Sequence, residues 1–174
     1  MSLSPRRPAS AMDPKGEFPL DVKTYVFHLF AVVSRHREAR LEQDLRPLGL
    51  TLARHRALGV IASLQSCTMS ELAEFSAVDR TTLTRTVDQL VDGALVERST
   101  PREDRRQVLL TLTDEGKRAV SKSLRVIAAA NTDLVDGLPE ERQREVARAF
   151  EAFLGALVDD PALLKRLTLR DEEI

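Results

Sequence analysis

Apolar residues recur at three- and four-residue spacing along most of the chain, and the rhythm changes once. Val22, Val26, Leu29, Phe30, Val33, Leu41 and Leu45 follow the helical spacing from Leu20 to about Arg46. "PLGL" at 47–50 stops that helix, because Pro47 cannot continue it and Gly49 frees the turn. Thr51 starts a second helix, apolar at Leu58, Ile61, Ala62 and Leu64, that ends near Gln65. "TMSE" at 68–71 has the spacing of a capping box, with Thr68 as cap and Glu71 reaching back. The short helix "MSELAEF" follows, then a tight turn of Ser76, Ala77 and Val78. Asp79 caps the next helix, from Arg80 to about Asp92.

There the rhythm shifts. "ALVERST" (94–100) and "QVLLTLT" (107–113) are rich in Val, Leu and Thr and flank the polar "PREDRR", which predicts a two-stranded hairpin. "TDEG" at 113–116 starts a helix that runs to about Asp136, with Gly137 as its stop. The last helix has Pro139 in its first turn and Pro161 at its end. Val146, Ala149, Phe150, Phe153, Leu154 and Leu157 form one apolar face on it. The expected fold is therefore mainly α with a small β-hairpin. Residues 1–19 read as a disordered arm, 20–160 as a single domain and 161–174 as a tail.

Two short helices joined by a three-residue turn, then a hairpin, describe a winged helix-turn-helix at about 51–113. Leu72, Ala73, Val78, Leu83, Val87 and Leu90 form its inward set. At about 100° per residue, Thr81, Arg85 and Asp88 lie opposite Leu83, Val87 and Leu90, with Thr82, Thr84 and Gln89 on the flanks. Short hydroxyls and arginine suit a DNA major groove. Arginine bonds guanine with two donors, and threonine meets a phosphate or a thymine methyl. The helices at about 20–46 and 114–158 carry more apolar surface than one small core needs, which predicts a second copy of the chain as partner.

Charge alone decides nothing. The chain carries a net charge of -1, and the stretch from Arg80 to Thr113 holds six arginines against five acids. Position matters more. Arg102, Arg105 and Arg106 cluster at the hairpin turn, where a slim cationic tip fits the narrow, strongly negative minor groove. Asp104 beside them is suited to orienting an arginine. The single cysteine, Cys67, excludes an internal disulfide and suits a reducing cytoplasm. No apolar run is long enough to span a bilayer, and the first residues, Arg6 and Arg7 among them, lack the apolar core of a signal peptide.

No Gly-rich phosphate loop, GxSxG or nucleophile–histidine spacing points to an enzyme or a cofactor. His28, His36 and His55 have no metal-ligand spacing. Cys67 stands just before a helix start, where a thiolate is favoured. A redox- or metal-responsive regulator is therefore one alternative. A winged-helix module that binds protein without DNA is another.

The segments "TRTVDQL" (84–90), "ALVER" (94–98), Asp104–Arg105–Arg106 and "LTDEG" (112–116), with "LGLT" at 48–51, resemble the MarR (multiple antibiotic resistance regulator) family over roughly residues 20–158. Two positions depart from the family pattern. Ala94 stands where glycine is usual, with Gly93 one place earlier, and Leu138 stands where a polar cap often precedes the last helix.

The resemblance implies a homodimeric transcription regulator, usually a repressor, on a pseudo-palindromic site in double-stranded DNA. It assigns major-groove contacts to Thr81, Thr82, Thr84 and Arg85 and wing-tip contacts to Arg105 and Arg106, with Asp104 orienting Arg106; Arg80 and Arg102 beside them complete the expected DNA-binding set. It gives the terminal helices to the dimer. It also implies a small-molecule effector, such as an aromatic acid, in the region of His28, His36, His55 and Arg56; from the spacing above, neither metal nor cofactor is expected.

Overall fold

A computed structural model describes residues 21–76, 78–100 and 107–168. The chain divides into two compact units, one ending at Arg40 and the other beginning at Leu41. Apart from Asp21, the described part of the first lies in helix α1 (Val22–Leu45), whose last turn belongs to the second. Within the first unit Val22, Tyr25, Val26, Phe27, Leu29, Phe30 and Val33 are all exposed.

The second unit begins where α1 delivers Leu41 and Leu45 to its core. A single 3-10 turn, Arg46–Leu48, follows, with Pro47 in its first positions and Gly49 at φ +68° closing it. A left-handed backbone is cheap for glycine and costly for most other residues, so this glycine sets the turn. Helix α2 (Leu52–Leu64) is capped twice: the Thr51 hydroxyl accepts from Arg54 N, and the Glu42 carboxylate accepts from Leu52 N at 2.7 Å. Two N–H groups that the helix leaves without carbonyl partners are satisfied this way.

A strand that the spacing does not predict comes next, β1 (Ser66–Thr68). Helix α3 (Met69–Phe75) opens with the expected capping box, since Thr68 Oγ1 accepts from Glu71 N and Glu71 Oε2 accepts from Thr68 N. Helix α4 (Arg80–Asp92) is capped by Asp79, which accepts from Thr82 N at 2.9 Å. Strands β2 (Val96–Ser99) and β3 (Leu109–Leu112) pair as the hairpin, and β1 adds to β3, so the sheet has three antiparallel strands in the order β1-β3-β2. Cys67, Leu110 and Arg98 stand in one row across it.

Helix α5 (Asp114–Val135) is capped by Thr113, and α6 (Glu140–Leu157) and α7 (Pro161–Leu167) complete the described chain. Pro161 begins α7 rather than only ending what precedes it. Asp160 caps that helix by accepting from Ala162 N, and a proline in the first turn loses no helical hydrogen bond.

The core of the second unit is almost wholly aliphatic. Leu45, Leu58, Ile61, Leu72, Leu83, Val87, Leu90 and Leu110 are fully buried, and α2 lies at the centre, packed against α4, α5 and the sheet. The inward set expected of the helix-turn-helix is found with small changes. Ala73 and Val78 are half-buried at its margin, and Thr86 joins the buried face of α4.

Candidate nucleic-acid interface

Helix α4 has two chemically separate faces. Leu83, Thr86, Val87 and Leu90 are buried, while Arg80, Thr81, Thr82, Thr84 and Arg85 are exposed. Five of the eight residues expected to touch DNA are thus gathered on one helix turned toward solvent. The other three, Arg102, Arg105 and Arg106, lie outside the described residues, as does Asp104.

The exposed hydroxyls are not equivalent. The Thr82 side chain, followed by its backbone N–H, hydrogen-bonds the Asp79 carboxylate and holds its pKa below the usual carboxylate range. Thr84 donates its hydroxyl proton to the Arg80 carbonyl at 3.3 Å, so outward it offers lone pairs and a methyl group. Thr82 therefore doubles as part of the helix cap, and Thr84 must break a local bond before it can donate to a phosphate. Among the described residues no acid pairs with Arg80 or Arg85. Arg80 is the first residue of α4, where the helix dipole disfavours a cation by a few tenths of a kcal/mol or more. Helix stability does not explain it; an approaching anion would.

Two arginines from neighbouring elements hold α4 in place. Arg54 of α2 donates through Nε and Nη2 to Gln89 Oε1, at 3.3 and 3.0 Å, and through Nη1 to the Gly49 carbonyl at 3.1 Å. Arg98 of β2 pairs with Asp88 at 2.5 Å. Sequence reasoning places Asp88 and Gln89 on or beside the reading face but finds neither partner. Arg54 lies 35 positions from Gln89, and Arg98 turns toward α4 only through the register of β2.

The joint between wing and α5 rests on one hydroxyl. Thr113 Oγ1 donates to the Ala94 carbonyl at 2.7 Å and accepts from Gly116 N at 2.9 Å. A side chain at Gly116 has no room, because its Cβ would lie 2.0 Å from the Leu95 carbonyl oxygen. Ala94, which replaces the expected glycine, takes the left-handed conformation at φ +53°, while Gly93 does not.

The expected effector residues fall in both units. His28 stacks beside Tyr25 in the first unit, where His36 is also exposed. In the second unit, His55 Nδ1 lies 2.9 Å from the buried Ser123 Oγ, and Arg56 is the next residue of α2. A recess of about 500 Å³ opens between α2, β3 and α5, lined by Ile61, Ala62, Gln65, Leu112, Lys117 and Val120 among others, and neither His55 nor Arg56 borders it. Cys67 is fully buried in β1, and burial, with the Glu71 charge nearby, pushes its thiol up to about 11. A buried thiol that resists ionisation is the opposite of a redox-sensing cysteine. No cluster of three metal-ligating side chains exists among the described residues, and none of their helices is long and apolar enough to cross a membrane.

The MarR family model matches residues 48–107, from the end of the 3-10 turn into the hairpin. A protein of Thauera aromatica, assigned as a transcriptional regulatory protein for the hcr operon, is 30% identical over 125 residues, covering 72% of this chain and 67% of that protein. The chain belongs to the MarR family. The multiple antibiotic resistance protein MarR of Escherichia coli is 35% identical over 88 residues, 51% of this chain and 61% of that protein. The crystal structure of a cysteine-to-serine variant of E. coli MarR complexed with operator DNA matches with a TM-score of 0.67 at 25% identity, over 77% of this chain and 99% of that one. Members of the MarR family are winged-helix, DNA-binding transcription regulators and not enzymes, and the expectation of such a fold holds, with a three-stranded sheet in place of a bare hairpin.

Proposed function

We propose that this MarR-family chain works as a cytoplasmic homodimeric repressor, seated on a pseudo-palindromic operator and released by a small anionic effector. The observation that carries the reading is the split of α4 into a buried Leu83, Val87 and Leu90 face and an exposed Thr81 and Arg85 face. In this reading Arg85 contacts a base edge in the major groove and Arg80 a phosphate. Arg102, Arg105 and Arg106 enter the minor groove, with Asp104 directing Arg106. The likeness to an operator-bound MarR supports a duplex as the ligand.

The second copy is supported by exposed apolar residues. Phe27, Phe30 and Val33 of α1 and Val146, Phe150 and Leu157 of α6 face solvent in the single chain, and α6 buries none of its residues. Large apolar side chains exposed along a helix mark interaction sites. Two-fold pairing would set half-sites about 10 bp apart, one turn of the duplex. For the effector, the recess beside Lys117 is better furnished than the positions of His28, His36, His55 and Arg56. It combines aliphatic walls with the Gln65 amide and Lys117, whose ammonium is paired with Asp114 at 2.9 Å and would exchange that exposed partner for the carboxylate of an apolar ligand.

The test is Arg85→Ala in gel shifts against a set of single-base operator variants. Discrimination should fall by about 1–3 kcal/mol at one base position. An unchanged preference profile would remove Arg85 from base reading.

A further inference from the structure

The charges on α4 run against its dipole. A cation stands at its first residue, while Asp92 lies in the last turn and Asp88 one turn earlier, where acids gain nothing from the helix. Asp88 is also on the side turned from the core, next to Arg85 in sequence order along the reading face. An acid there repels phosphates, so its presence calls for another explanation.

Strand β2 supplies one. Side chains alternate along a strand, so Arg98 shares a face with the buried Val96 and lies across from the buried Leu110. That face looks toward the core and α4. An arginine at such an inward position is unusual, and it ends on Asp88 at 2.5 Å with both side chains about half exposed, 41% and 50%. The pair joins the first strand of the wing to the reading helix, ten residues apart in sequence, with Arg54 fixing the neighbouring Gln89 from the opposite element. A half-exposed pair of this type adds little to stability. Its value lies in direction.

We propose that Asp88 and Arg98 are positioning residues: their ion pair sets the angle between α4 and the wing, so that groove reading by one is registered with groove entry by the other. This rests on the reading of α4 and the wing as the DNA-contacting elements. Charge alone and a positioning tie have opposite signs here. Removing an acid from a DNA-facing helix should tighten binding electrostatically, whereas losing the tie should loosen it.

The experiment measures the full-length chain against a duplex it has enriched from a random pool and an unselected duplex of equal length. Variants are Asp88→Asn, Arg98→Met and the double substitution. Asp88→Asn should lower the ratio of selected to unselected affinity about tenfold, and Arg98→Met should do the same. The double variant should fall no further than either single one. Thermal midpoints should stay near that of the parent, which separates positioning from folding. The salt slope for Asp88→Asn should be unchanged, since no phosphate contact is removed.

Asp88→Asn binding the selected duplex as well as or better than the parent would overturn the proposal. So would an additive double variant, or a slope that drops by about one for Arg98→Met, which would make Arg98 a phosphate contact in its own right. A parent chain that enriches no duplex would overturn the underlying reading as well, whereas an enriched duplex with unaffected variants overturns this inference alone.

Discussion

Single residues at the entrance of α4 make its geometry sensitive to pH. The Thr82 side chain and backbone N–H hold the Asp79 carboxyl below its ordinary pKa. A carboxyl depressed in the folded state adds stability above the unfolded value, and this is lost as pH falls through the folded one. Acidification below about pH 4 should therefore loosen the N-terminus of α4. Asp79→Asn keeps an acceptor for the cap but removes the titration. Its thermal midpoint should fall less than the parent's between neutral and acid pH, and parallel curves would show that Asp79 contributes no linkage. Ala94 is the other exacting position. A non-glycine residue at φ +53° costs roughly 1–2 kcal/mol, part of which glycine returns as unfolded-chain entropy. Ala94→Gly should raise stability by about 0.5–1 kcal/mol in urea unfolding, and a loss would mean that the turn is relaxed with alanine. The substitution of alanine for glycine was legible in the chain. That residue 94, and not Gly93, takes the left-handed conformation required the backbone itself.

At the scale of elements, the caps and the helix pattern could be read from the residues alone. Thr51, Thr68, Asp79 and Thr113 each cap the helix expected of them, because a hydroxyl or carboxylate three residues ahead of an N–H is a local arrangement. β1 escaped that reading because "SCT" is three residues long, too short for alternation to register, and its pairing with β3 spans more than forty residues. α7 is hidden because Pro161 reads as a terminator, although Asp160 before it marks a helix start. The arginine clamps on Asp88 and Gln89 were illegible for the same reason as β1, since both depend on tertiary register. The wing belongs to this scale. Arg106→Ala should weaken duplex binding and reduce the salt slope by about one while leaving the assembly state intact. Affinity equal to that of the parent would remove the wing tip from the interface.

For the whole molecule, the apolar residues of α1 and α6 pose the main demand. Their spacing in the sequence anticipated a partner, and they are left facing solvent in the single chain. Phe150→Asp should convert a dimer into monomers in sedimentation, since a charge in a two-fold apolar interface has no partner and is repeated by symmetry. A dimer that persists would place the interface elsewhere. The account as a whole stands on two copies presenting paired α4 helices and wings to one duplex. Sequencing of the duplexes that the full-length chain retains from a random pool tests this most directly. The account predicts an inverted repeat with half-site centres about 10 bp apart; a retained pool indistinguishable from the input, or one enriched only for single unpaired half-sites, would contradict it.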